Sequence, residues 1–225
     1  MTPYYQDNHC TIYHGDCLEV LPHLDPVDLV LTDPPYGINA NTRTATSRRV
    51  GDVQGIKGCA PKLRDHKPVY GDKVPFDPSK WLGFPKVILW GGNHYADRLP
   101  VSACWLVWDK REGTTSDDNA DCELAWTNLK GPARLHRQLW RGLCMRAEEN
   151  GKPRLHPTQK PLELMRWCLL HKHTSDCKTV LDPYMGSGTT LRAAKDLQRQ
   201  AIGIEVEEAY CEIAAKRLAQ EVLAL

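Results

Sequence analysis

Thr179-Val180-Leu181-Asp182-Pro183-Tyr184-Met185-Gly186-Ser187-Gly188-Thr189-Thr190 decides how the rest of this 225-residue chain is read. Thr179 to Leu181 has the character of a short strand, and it ends on the carboxylate of Asp182. A glycine-bearing turn follows, and Leu191 to Gln198 continues as a helix. Glycine lets backbone approach a ligand closely, with N–H groups pointing at it. No lysine follows the second glycine, so the turn is not a phosphate-binding P-loop. The next strand, Ala201 to Ile204, ends at Glu205, and a helix runs from Glu207 to Leu218. Glu205 stands 23 positions after Asp182. That is near the ~20-residue offset at which an acidic side chain meets ribose hydroxyls in nucleoside-binding folds. Strand, glycine turn, helix, strand and acidic end together predict an α/β sheet that holds a nucleoside-type cofactor.

Two earlier units repeat the pattern of a strand ending on a carboxylate. Cys10 to His14 reads as a strand broken by Gly15, with Asp16 next and Leu18, Leu21 and Leu24 on one face of a short helix. Taken alone, Asp16 reads as a helix cap. Val27 to Thr32 is mostly apolar, as in a strand buried on both faces of a parallel sheet. It runs into Asp33-Pro34-Pro35-Tyr36. Pro34 holds Asp33 extended, and neither proline has an N–H. The turn therefore offers carbonyl and carboxylate acceptors with few competing donors. Such a site suits a substrate that donates two hydrogens from one atom, as an exocyclic NH2 does. Tyr36 adds a flat face for a base. The plain alternative is a proline-rich turn with Asp33 as a solvated cap.

Further along, Lys86 to Trp90 is a strand stopped by Gly91-Gly92, and Asn93 is placed to cap a short helix through Leu99. Ala103 to Trp108 and Asp121 to Trp126 predict an antiparallel hairpin at a sheet edge. His156-Pro157-Thr158-Gln159-Lys160-Pro161 opens an apolar helix, Leu162 to Leu170. Proline suits the start of a helix, and Lys160 adds a positive charge where the dipole already favours an anion. A proline-bracketed helix entry is the alternative there.

Composition bounds the rest. With 41% hydrophobic and 25% charged residues the chain has material for a core. We expect one domain spanning 1–225. No run of 18 apolar residues is present, so no membrane span is expected. The nine cysteines are scattered without a Cys-x-x-Cys, which argues against zinc, leaves no metal expected, and points to reduced thiols in a cytoplasm. Net charge is only +1, but residues 37–85 hold nine Lys/Arg against four Asp/Glu, and residues 130–154 hold seven against two. These two basic segments are read as insertions facing a polyanion, with Arg137 and Arg141 as candidate contacts. Solvated loops are the alternative.

On these residues the chain resembles the S-adenosylmethionine-dependent DNA methyltransferases that act on an exocyclic amine. Asp33 to Tyr36 matches their catalytic motif, His156 to Pro161 the segment before the cofactor turn, and Asp182 to Thr189 the cofactor turn. The catalytic motif precedes the cofactor turn, as in the permuted beta group. The resemblance implies a doubly wound, mostly parallel Rossmann-like sheet, with duplex DNA as partner and S-adenosylmethionine as cofactor. It implies that Glu205 meets the ribose hydroxyls and Asp16 the adenine moiety, and that Lys160, Thr158 and Ser187 lie near the methionine portion. The turn residues Asp182, Pro183, Met185, Gly186, Gly188 and Thr189 would complete the pocket with Asp33. Asp33 and the carbonyl of Pro34 would accept the amine hydrogens, with Pro35 in the same turn and Tyr36 stacked on the base.

Asp at the first motif position is similar to adenine-N6 members, whereas Ser is commoner among cytosine-N4 members. The recognition region is short, which leaves open low sequence specificity or recognition shared across a homodimer. Three other readings stay open. One is cytosine-N4 methylation. Another is methylation of RNA or of a protein glutamine amide. The last is a non-enzymatic nucleic-acid-binding protein with a relic pocket.

Overall fold

The computed structural model describes residues 1–40, 68–113, 120–141, 144–145 and 155–220, with the side chains of 141, 144 and 145 left out. Most of the basic segment 37–85, and within 130–154 everything after Trp140 except short backbone stretches, lies outside the described residues.

The chain builds β1 (Tyr5–Gln6), β2 (Cys10–His14), α1 (Cys17–Val20), β3 (Leu29–Thr32), β4 (Val87–Trp90), β5 (Trp105–Asp109), β6 (Cys122–Thr127) and β7 (Arg134–Arg137). A small separate ribbon, β8 (Trp140–Arg141) with β9 (Cys144–Met145), comes next. Then follow α2 (Leu162–Leu170), β10 (Thr179–Asp182), α3 (Thr189–Asp196), β11 (Gln200–Glu205) and α4 (Glu208–Leu218).

Nine strands form one sheet in the order β1-β2-β11-β10-β3-β4-β6-β5-β7. The run β2-β11-β10-β3-β4 is parallel throughout. All four residues of β3 and of β4 are buried. Their alternation sends Leu29, Leu31, Ile88 and Trp90 to one face, against α2, α3 and α4. It sends Val30, Val87 and Leu89 to the other, against Phe76, Trp81 and Tyr95. A continuous apolar run is what a strand covered on both faces requires. Each fully buried aliphatic side chain adds roughly 1.5–3 kcal/mol. The doubly wound, mostly parallel arrangement expected from the sequence is the one observed.

The chain leaves β10 for β11 on one side and β3 for β4 on the other. The sheet therefore switches direction between β10 and β3, where open α/β sheets bind their ligands. Asp182 closes β10, and Asp33 follows β3 directly.

Two local expectations need correction. The β5–β6 hairpin is antiparallel, as predicted, but it is not at the edge. β7, from the segment read as a basic insertion, pairs in parallel with β5 from Leu106↔Arg134 to Asp109↔Arg137. Its residues Arg134, Leu135 and Arg137 are exposed. An edge strand can be charged because only its inner side needs pairing, and charge discourages edge-to-edge association; the apolar alternation that reveals inner strands is therefore missing. At the other edge, Tyr5–Gln6 pairs antiparallel with β2 and is too short to show a period. Finally, the turn after β4 is a 3-10 helix, Gly92–Arg98, without a side-chain cap from Asn93. Among the described residues no helix is long and apolar enough to cross a membrane.

Candidate active site

A cavity of about 580 Å3 opens along the carboxyl ends of the parallel strands. It is lined by Asp16 and Glu205 at one end, by Gly186 and Ser187, and by Asp33 to Tyr36 at the other. That volume is in the range of small-molecule and cofactor sites. The strand order explains the convergence, because β2, β11, β10 and β3 are neighbours whose ends share one rim.

At the cofactor end, Glu205 is fixed from both sides of its carboxylate. Gly186 N–H donates to Oε2 at 3.0 Å and Glu207 N–H to Oε1 at 2.8 Å. Burial pushes the carboxyl of Glu205 up, against the pull of these backbone donors. Asp16 is exposed and caps α1, its Oδ1 accepting from Leu18 N–H at 2.8 Å. Gly186 has φ +50°, and a Cβ there would stand 3.3 Å from the ring of His156. His156 in turn packs edge-on against Tyr210, with ring centroids 4.4 Å apart. Thr158 Oγ1 lies 3.1 Å from His156 Nδ1. Thr158, Lys160, Asp182, Pro183, Met185, Ser187 and Thr189 line the same cavity, whereas Gly188 caps α3 in the left-handed conformation behind it.

These residues fit the nucleoside sulfonium cofactor that the resemblance implies. A rigid carboxylate for hydroxyls, a side-chain-free backbone at Gly186 and aromatic rings of Tyr184, Phe76 and Trp81 meet in one cleft. Glu205 and Asp16 would hold the nucleoside, and Thr158 and Ser187 would lie by the amino-acid end.

At the Asp33 end of the cavity, the Asp33 side chain is 16% exposed and both its oxygens are engaged. Tyr36 donates its hydroxyl to Oδ1. Lys160 donates to Oδ2 at 2.5 Å and lies 3.2 Å from the Tyr36 hydroxyl. Lys160 is also 3.1 Å from Glu123 Oε2, and Glu123 Oε1 is 2.9 Å from Lys110 Nζ. Burial raises the carboxyl of Asp33; Lys160 opposes that, and Glu123 adds to it. Burial alone would lower Lys160, but Asp33 and Glu123 outweigh it and its ammonium is held up. Glu123 is the mirror case: burial would raise it, and the ammonium groups of Lys160 and Lys110 hold it at about 2. The ammonium of Lys160 thus bridges two carboxylates rather than standing free at the start of α2.

Tyr36 is seated by groups that no motif marked. Its ring stacks on His94, with centroids 4.8 Å apart and planes 15° apart. It rests on Gly91 so closely that a Cβ there would come within 2.0 Å of Tyr36 Cε1. Asp72, buried, accepts from the N–H groups of Gly37 at 2.8 Å and Ala40 at 2.6 Å and folds the chain leaving Tyr36. Of these, Gly91 carried a visible signal, a glycine pair closing a strand. Glu123 carried a weaker one, a lone carboxylate in the apolar strand Cys122-Glu123-Leu124-Ala125-Trp126. His94 and Asp72 carried none.

Of the candidate DNA contacts, Arg137 is at the rim end of β7, with 67% of its side chain exposed and its Nε 3.6 Å from Asp109 Oδ2. The side chain of Arg141 lies outside the described residues.

Comparison with known proteins agrees with this geometry. Residues 100–216 match a family described as DNA methylase. The type II methyltransferase M.HpaI of Haemophilus parainfluenzae is 42% identical over 92% of this chain and 73% of its own length. M.HinfI of Haemophilus influenzae is 30% identical over 92% and 68%. M2.DpnII of Streptococcus pneumoniae is 26% identical over 97% and 93%. Among solved structures, the M1.HpyAVI–SAM complex superposes with a TM-score of 0.51 at 22% identity, over 94% of this chain and all of that one. PvuII DNA methyltransferase (cytosine-N4-specific) superposes with 0.58 at 15% identity, over 99% and 90%; these two speak to the fold alone. A match across more than half of the chain, with relatives this similar over most of their length, shows that the chain belongs to the DNA methylase family and is an S-adenosylmethionine-dependent DNA methyltransferase.

Proposed function

We propose that this enzyme methylates the exocyclic N6 amine of an adenine flipped out of duplex DNA, with Asp33 and the Pro34 carbonyl as acceptors and Tyr36 as the stacking face. The observation that carries the reading is the placement of Asp33. It stands at the switch point of the sheet, half-buried, at the end of the cavity opposite Glu205. Asp at the first position of the motif supports adenine over cytosine.

The chemistry dictates what the residues do. An adenine amine inside a duplex is out of reach, and extruding the base costs a few kcal/mol. Its lone pair is delocalised into the ring, so the nitrogen is a poor nucleophile. Two acceptors on the N–H groups draw that lone pair back onto nitrogen. Asp33 supplies a charged acceptor, and the prolines keep competing donors out of the turn. Tyr36, pinned by Gly91 and by its own hydroxyl bond to Asp33, keeps its ring beside the acceptor. When bound, S-adenosylmethionine would supply a sulfonium methyl: as nitrogen took it, the carbon–sulfur pair would return to sulfur and the amine would release one proton to solvent. The rigid sheet edge then holds the amine acceptor and the cofactor cleft in one orientation, which is where much of the rate arises. Arg137 would face the phosphates of the duplex DNA on which the protein acts. A homodimer would supply recognition that one short chain lacks.

Nucleoside analysis of DNA treated with the enzyme tests the reading. N6-methyladenine is the expected product, and N4-methylcytosine alone would overturn it. Competition among duplex DNA, RNA and protein for labelled methyl transfer separates the wider alternatives.

A further inference from the structure

We propose that Glu123 and Lys110 are positioning residues that set the charge on Asp33 through Lys160, so that β6 and the end of β5 tune the amine acceptor. The inference rests on Asp33 being that acceptor. Four charges alternate along one line. Asp33 Oδ2 is 2.5 Å from Lys160 Nζ, Lys160 Nζ is 3.1 Å from Glu123 Oε2, and Glu123 Oε1 is 2.9 Å from Lys110 Nζ. Their side chains are 16, 8, 25 and 18% exposed, and their formal charges sum to zero. Lys110 closes the line against the ring of Trp108, 5.8 Å from its centroid.

Packing alone does not call for this arrangement. Ions taken out of water carry a desolvation penalty that an apolar replacement would avoid. A lone Lys160–Asp33 pair would satisfy both of those groups. It would also commit the carboxylate's charge to the lysine and leave little for an amine that becomes positive as it is methylated. Sharing the ammonium with Glu123 leaves Asp33 partly uncompensated. Lys110 limits the effect by drawing part of Glu123's charge to itself. The other titratable groups that face Asp33 are Tyr36 through its hydroxyl, Tyr95 from the turn after β4, and Asp182 from β10. Of these, Tyr36 also feels the charge of Glu123, so Lys110 is the cleaner of the two sites to vary.

The line makes opposite predictions for its two ends. Glu123→Gln removes the competing carboxylate, so Asp33 ionises more readily while serving the amine less well. In single-turnover methylation of duplex DNA followed from pH 5 to 8.5, the acid limb should move down by roughly one pH unit. The plateau rate should fall about tenfold or more, and cofactor and DNA dissociation constants should stay within about threefold. Lys110→Met should move the acid limb up instead, by roughly half a unit. A residue needed only for packing would lower the rate without shifting the limb in opposite directions. An unmoved limb in both variants, or shifts of the same sign, would overturn the inference. If Glu123→Gln does not fold, the sign of the Lys110→Met shift decides alone. Asp33→Ala separates this from the reading beneath it. An active Asp33→Ala removes the acceptor role itself, whereas an inactive one with unmoved limbs removes only the role of Glu123 and Lys110.

Discussion

Thr32 donates its hydroxyl to Asp182 Oδ1 at 2.6 Å, tying the strand that leads into Asp33-Pro34-Pro35-Tyr36 to the strand that leads into the glycine turn. The two residues are 150 positions apart in the chain, and only the pairing of β3 with β10 brings them together. Thr32→Val keeps the shape and deletes the donor. Asp182 is buried, so the change should destabilise by about 1–3 kcal/mol. It should also weaken S-adenosylmethionine binding severalfold, whereas Thr32→Ser should retain most of both. Denaturant unfolding and calorimetric titration read the two effects.

Asp182 also gives stability a pH dependence of definite sign. Burial lifts its carboxyl from 3.8 to about 6, against the hydroxyls of Thr190 and Thr32 and the N–H of Tyr184. The folded state therefore holds this proton more tightly than the unfolded one. The contribution is complete below about pH 4 and is lost as pH rises through 6. Asp182→Asn cannot titrate. Its stability relative to the parent should rise by up to roughly 3 kcal/mol between pH 4 and 7. Asp182 also raises Glu205 through its charge, so that part of the Glu205 shift is lost with it and adds to the difference in the same direction. A flat difference across that range would mean that Asp182 titrates like a solvated carboxylate.

Asp33→Ala should abolish methyl transfer, by about 10³-fold or more, because the charged acceptor is gone. Cofactor affinity should change by less than about threefold, since the nucleoside end is held by other strands. Filter-bound label on DNA and an equilibrium binding titration measure the two sides of that contrast.

Gly91→Ala is a probe of Tyr36. The new Cβ would meet Tyr36 Cε1 at 2.0 Å, and the backbone sits at φ +73°. The left-handed conformation alone costs an alanine roughly 1–2 kcal/mol. The ring must shift, so transfer should fall about 10–100-fold through lost orientation, with S-adenosylmethionine binding intact. Normal turnover in a folded Gly91→Ala protein would remove Tyr36 from the mechanism.

Arg137→Ala should weaken duplex binding and reduce the slope of log K against log salt by about one. The loss should be similar for all sequences, as expected of a phosphate contact. An unchanged salt slope would return Arg137 to a purely structural pairing with Asp109.

The parallel sheet was legible in the chain because its strands are buried on both faces, which demands uninterrupted apolar runs such as Leu29-Val30-Leu31 and Val87-Ile88-Leu89. The glycine turn and the Asp33-Pro34-Pro35-Tyr36 turn were legible as turns too, because backbone geometry at Gly186 and at Pro34-Pro35 constrains residue type locally. β7 was not, since an exposed edge strand has no apolar period to display.

The sequence by itself determined which residues stand as candidates for the chemistry: the carboxylate of Asp33, the prolines beside it, and the acid of Glu205 one strand and helix after the glycine turn. Only the tertiary structure decided their electrostatic setting. Lys160 reaches Asp33 across 127 positions, and Glu123 and Lys110 join them from strands whose own patterns look ordinary. Local propensity governs backbone within a few residues. The charge on a buried carboxylate depends on every ion within several ångströms, and those neighbours are chosen by the order of strands in the sheet.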